Sequence, residues 1–121
     1  MIRGIKFASI PVADQDRALR FYTEKLGFRV MTDAPFDDEQ RWIELGIDGT
    51  SAKLVIFTPD EHRDRVGTPS NVTFWSPDVR ATYEELRARG VEFIAEPESS
   101  DWGSYAVFKD SEGNTFVLSS K

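Results

Sequence analysis

Cysteine is missing from the 121 residues, which excludes disulfides, thiolate metal sites and a cysteine nucleophile together. Histidine occurs once, as His62, so imidazole ligands for a metal centre are scarce. Long apolar runs are also lacking. None approaches the roughly 18 to 20 residues that a spanning helix needs, and no apolar stretch follows Met1-Ile2-Arg3-Gly4 as a signal peptide would require. A cytoplasmic protein without membrane contact is therefore the expectation. Positive charge is in deficit, with 15 Lys and Arg against 21 Asp and Glu for a net charge of −6. Without a basic stripe to displace counterions, nucleic acid is not expected as a partner.

What is present is an internal repeat. Arg17-Ala18 and Gly27-Phe28 recur as Arg80-Ala81 and Gly90-Val91 at the same offset of 63 residues. Repetition at fixed spacing is the mark of duplicated architecture. The length fits one domain, residues 1–121, made of unit one at about 1–60 and unit two at about 68–121, with 58–70 as the linker.

Lys6 to Val12 reads as a strand, followed by Asp14 as an N-cap. Ala18, Leu19, Tyr22 and Leu26 recur at helical spacing, and Gly27 stands where a left-handed C-terminal cap is wanted. Phe28 to Thr32 is the next strand and Asp33 to Glu39 an acidic loop. Arg41 to Ile47 and Ala52 to Phe57 form a hairpin across Asp48-Gly49. Unit two retraces this plan. Asn71 to Ser76 is its first strand, Asp78 caps a helix that stops at Gly90, Val91 to Ala95 is a strand and Glu96 to Asp101 a second acidic loop. Gly103 to Lys109 and Asn114 to Ser119 close as a hairpin. The fold class is α+β: two tandem βαβββ units forming a curved, open-barrel mixed sheet with helices on the outer face. Asp60 to Asp64, with His62, reads as solvated linker, since adjacent residues there have no fold to make them converge on an ion.

Several motifs resemble the vicinal oxygen chelate superfamily, which includes glyoxalases, bleomycin-resistance proteins and dioxygenases. They are Ile10-Pro11-Val12-Ala13-Asp14, Arg17 to Tyr22 and Leu26-Gly27-Phe28 in unit one. Unit two adds Asp78-Val79-Arg80-Ala81, Gly90-Val91-Glu92-Phe93 and Lys109 to Asn114. The resemblance implies a divalent metal held at four strand positions, which here fall on Phe7, Ile56, Asn71 and Val117. Three of these cannot coordinate, and one neutral amide oxygen does not hold a divalent ion against water. The expectation is a member without the usual ligands, with no metal and no cofactor. The resemblance also implies a homodimer.

If alternate residues share a face, Phe7, Ser9, Leu54 and Ile56 line a groove between the units, with Asn71, Thr73, Trp75, Thr115 and Val117 from the second unit. Trp42 and Tyr105 stand at equivalent places, Trp102 closes the second acidic loop, and Glu44 shares the face of Trp42. Aromatic walls with few hydrogen-bonding groups suit a planar or amphipathic small molecule. Besides a pure interaction module, two functions stay open on these residues. One is metal-independent binding or sequestration. The other is catalysis as a glyoxalase-like lyase, isomerase or dioxygenase using an unrecognised metal or a general base such as Glu44.

Overall fold

In a computed structural model, residues 1–60 and 63–121 are described; His62 lies outside them. The chain divides into two compact units, Met1–Val66 and Gly67–Lys121. Unit 1 runs β1 (Phe7–Pro11), α1 (Gln15–Arg20), a π-helical turn (Phe21–Lys25), β2 (Arg29–Pro35), β3 (Arg41–Gly46) and β4 (Lys53–Phe57). Unit 2 runs β5 (Pro69–Trp75), α2 (Val79–Ala88), β6 (Glu98–Ser100), β7 (Gly103–Lys109) and β8 (Thr115–Ser119). Each unit holds one four-stranded mixed sheet, in the order β1-β4-β3-β2 and β5-β8-β7-β6. The first strand of each lies parallel to the last, and the other pairings are antiparallel. The expected α+β class and the duplicated βαβββ order are both present. Among the described residues, no helix is long and apolar enough to cross a membrane.

Local chemistry explains why the units match. Asp14 and Asp78 sit in extended conformation before their helices, and their carboxylates accept from Arg17 N and Ala81 N, each at 3.0 Å. Each such cap stabilises its helix by about 1 kcal/mol. Gly27 and Gly90 hold φ of 76° and 94°, the left-handed region where a side chain is strained. At Gly90 a Schellman pair results, with Gly90 N donating to Arg87 O at 3.0 Å and Val91 N to Leu86 O at 3.0 Å.

The unit 1 core forms on the face of the sheet where Ile10, Ile56 and Ile43 stand side by side in register, all fully buried with Val12, Ala18 and Tyr22. In unit 2, Phe108 and Phe116 are buried and Phe74 lies 5.2 Å from Phe116 and 6.1 Å from Phe108, ring centre to ring centre.

Two strand boundaries differ from expectation by more than two residues. Residues 91–95 do not form a strand: they make one isolated bridge, Phe93 to Phe108, and the third-position strand appears as Glu98–Ser100, within the expected acidic loop. Pro97 divides the two segments, because it has no N–H to continue a ladder. In unit 1, β2 runs on through Asp33-Ala34-Pro35. Its register shifts between Val30 and Thr32, a bulge that re-aims the strand along β3.

Candidate functional site

The site in unit 1 lies on the open face of its sheet. In-register neighbours share a face, so Phe7, Ser9 and Pro11 of β1 stand beside Lys53, Val55 and Phe57 of β4, and Glu44 of β3 stands beside Val55. This corrects the expected facing of Leu54 and Ile56. Both are buried on the opposite, helix-covered face, and Ile56 pairs with Ile10 and Ile43. Leu54-Val55-Ile56-Phe57 is apolar at every position, so no polar residue marked which parity faces out, and a slip of one residue exchanges the faces.

A pocket of about 310 Å³ opens here, lined by Phe7, Ser9, Phe36, Gln40, Trp42, Val55 and Phe57. Trp42 is its centre: Phe7 meets it edge-on, with ring centres 5.5 Å apart at 80°, and Phe36 lies at 6.0 Å and 31°. Both geometries are favourable for aromatic pairs. Phe36 is 63% exposed, an apolar ring held in solvent at the pocket's edge. The turn that carries it is built by hydrogen bonds. Phe36 N and Asp37 N donate to Gln40 O at 3.1 and 3.2 Å, and Asp37 Oδ1 accepts from Glu39 N and Gln40 N at 2.8 and 2.9 Å. Gln40 Oε1 then accepts from Thr58 N at 3.1 Å, tying the turn to the end of β4.

Trp42 Nε1 donates to Glu44 Oε1 at 2.8 Å, and Lys53 Nζ lies 3.4 Å from Glu44 Oε2. The Trp42 hydrogen bond first, and then Lys53, hold the Glu44 carboxyl below its ordinary value despite partial desolvation. Glu44 is thus a fixed anion and a weak base, which suits it to orienting Trp42 and not to abstracting protons near neutrality.

Gln15, 9% exposed at the start of α1, sets where β3 begins. Its Nε2 donates to Arg41 O at 2.8 Å and Ile56 O at 3.2 Å, and its Oε1 accepts from Arg41 N at 3.0 Å. The Arg41 guanidinium bonds Asp16 and Asp33, each at 2.9 Å, and the Asp16 bond is the larger cause of its raised pKa.

On the open face of the unit 2 sheet, Thr73 stands beside Val117 and Trp75 beside Ser119. Asn71 and Thr73 are exposed, and Trp75 is 59% exposed, with Lys121 Nζ 5.2 Å from its ring centre. Trp102 stacks on Tyr105 at 5.5 Å and 18°. The Tyr105 hydroxyl donates to Glu98 Oε2, a bond that raises the Tyr105 pKa. The structure therefore brings Phe7, Ser9, Trp42 and Glu44 together in one place, and Trp102 with Tyr105 in another. Phe36, Gln40, Val55 and Phe57 also line the pocket without a sequence signal that marks them. Phe36 was hidden in what read as a solvated acidic loop.

The strand positions that the resemblance assigns to a metal do not fit one. The Phe7 ring packs on Trp42, Ile56 is sealed in the core and Val117 offers a methyl surface. The corrected register substitutes Val55, equally apolar, for Ile56. Among the described residues, no three His, Cys, Asp or Glu side chains converge.

With the fold and this geometry in place, the family follows. The model of the Glyoxalase/Bleomycin resistance protein/Dioxygenase superfamily matches residues 4–118, and the chain belongs to that superfamily. YetH of Bacillus subtilis (strain 168) is 36% identical over 118 residues, spanning 98% of each sequence. A superfamily member from Sphaerobacter thermophilus DSM 20745 superposes with a TM-score of 0.90 at 29% identity, covering 99% of this chain and 98% of that one. TnmS3, an antibiotic binding protein from Streptomyces sp. CB03234, superposes with a TM-score of 0.86 at 29% identity, covering 98% of this chain and 96% of its own.

Proposed function

We propose that this chain is a metal-independent binding protein that sequesters an aromatic or amphipathic small molecule in the unit 1 pocket, working as a cytoplasmic homodimer. The observation that carries this reading is the Phe7–Trp42–Phe36 wall around about 310 Å³. That volume sits at the lower end of the roughly 300 to 1,000 Å³ typical of ligand pockets, enough for a fused ring system but not for a large macrocycle. Ser9 and Gln40 supply the polar groups that would orient it. Binding is favoured over turnover because none of the lining side chains titrates near neutrality, and the adjacent Glu44 is a weak base. The antibiotic binding protein TnmS3, alike in fold over almost the whole chain, is consistent with a sequestering role.

The test is calorimetric titration with polycyclic aromatic compounds, followed by mass spectrometry of the recovered compound. Saturable binding that is lost in Trp42→Ala, with the compound returned unchanged, is the expected result. A chemically altered product, or one equivalent of metal per chain on elemental analysis, overturns it. Sedimentation at micromolar concentration checks the dimer.

A further inference from the structure

Building on that reading of the unit 1 pocket, we infer that its preferred ligand carries a positive charge, a protonated or quaternary amine on an aromatic body, seated against the face of Trp42. The pocket has the aromatic parts of an organic-cation receptor, and its polar lining groups, Ser9 and Gln40, are neutral. Three of its seven lining residues are Phe7, Phe36 and Trp42, a fourth is Phe57, and none is Lys, Arg or His. Aromatic faces are electronegative, and indole is the best of them for holding a cation.

The indole here is further enriched. Its N–H is spent on a carboxylate, Glu44, at 2.8 Å. A charge-assisted bond of that kind shifts electron density from the N–H into the ring, which strengthens its attraction for a cation on the face. The same bond occupies the only hydrogen-bond donor the indole has, so Trp42 offers an incoming ligand its π-face and nothing else. Of the cations that act on Glu44, Lys53 and Lys6, Lys53 is engaged at 3.4 Å by its other oxygen, and neither lines the pocket. Glu44 thereby engages one neighbouring positive charge while polarising the ring. The net charge of −6 adds a general attraction for cations.

Three tricyclic probes of matched outline separate the possibilities by calorimetry at pH 8: N-methylacridinium, a permanent cation; acridine, neutral at that pH; and acridine-9-carboxylate, an anion. The cation is expected to bind about tenfold more tightly than acridine, the size of a partly desolvated cation–π contact, and the anion more weakly than either. In Glu44→Gln, which preserves an acceptor for the indole N–H but removes its charge, the cation-to-neutral ratio is expected to fall toward one. Equal affinity for cation and neutral probe, or a preference for the anion, overturns the charge preference while leaving the pocket intact as an aromatic site. Binding of none of the three removes the pocket reading, and this inference with it. A ratio that stays at tenfold in Glu44→Gln also overturns the role given to the polarised indole.

Discussion

Gln15 clamps the start of β3 to β4 beside the pocket, and replacing it measures what that clamp contributes. Its side-chain amide makes three hydrogen bonds, to Arg41 O, Arg41 N and Ile56 O, all to backbone and largely away from water, since Gln15 is 9% exposed. Gln15→Leu keeps the volume and removes all three. At about 1 kcal/mol net for each bond, with the Arg41 backbone groups left poorly solvated, the loss sums to about 3 kcal/mol. For a chain of this size that corresponds to a fall in Tm of about 10 °C. Urea unfolding followed by far-UV circular dichroism, with the m-value unchanged, measures the first quantity, and a melting curve the second. Gln15→Glu retains an acceptor for Arg41 N but sets a carboxylate against two carbonyl oxygens, and is expected to be no more stable than the leucine variant. A loss below about 1 kcal/mol for Gln15→Leu would refute the reasoning, because it would mean that water or a shifted backbone replaces the clamp at no net cost.

Further outcomes follow from the same geometry. Asn114, 2% exposed, receives Gly67 N at 2.7 Å and donates to Asp110 Oδ2 at 2.9 Å, so Asn114→Ala is expected to lower unfolding free energy by about 2 to 3 kcal/mol in urea. Asp78→Ala removes the cap on α2 and is expected to cost about 1 kcal/mol in the same assay. Glu44 has a lowered pKa, so its contribution is present above the ordinary carboxylate range and is lost as pH falls through the folded-state value. The Tm gap between wild type and Glu44→Gln should therefore close on acidification. Tyr105 has a raised pKa, so its contribution is present below the ordinary phenol range and is lost at alkaline pH. Tyr105→Phe should flatten that limb of the Tm profile.

Much of the scaffold was legible in the sequence because its markers are local. Asp14 and Asp78 announce helix starts through their own side chains, Gly27 and Gly90 announce stops through φ, and Asp48-Gly49 announces a turn, none of them needing a distant partner. Facing was harder. Trp42 and Glu44 reveal a common face because their separation of two residues is itself the strand period, whereas the facing of Ile56 is illegible because its neighbours are as apolar as it is. Register across β1 and β4 comes from pairing over more than forty residues of chain, and no local signal encodes it. Phe36 was lost for a different reason. Flanked by Pro35 and Asp37-Asp38-Glu39, it has the composition of a solvated loop, and only the hydrogen bonds that fold 36–40 back on themselves bring its ring to Trp42.

The two halves show how one scaffold arranges its aromatic rings differently on its two copies. Trp42 and Tyr105 occupy equivalent strands, β3 and β7, and each has an aromatic ring from the preceding connection beside it. In unit 1 that connection spans residues 36–40, after a seven-residue β2. It is long enough to hold Phe36 at 6.0 Å and a tilt of 31° from Trp42, leaving space that Phe7, Val55 and Phe57 complete as a pocket. In unit 2 the preceding strand has three residues and the connection is only Asp101-Trp102. So tight a turn lays Trp102 nearly flat on Tyr105, at 18°, and the two rings fill the space between them with each other. Loops of differing length on a duplicated framework are where binding sites arise. The difference between a cavity and a stacked pair here reduces to the few residues by which one connection exceeds the other.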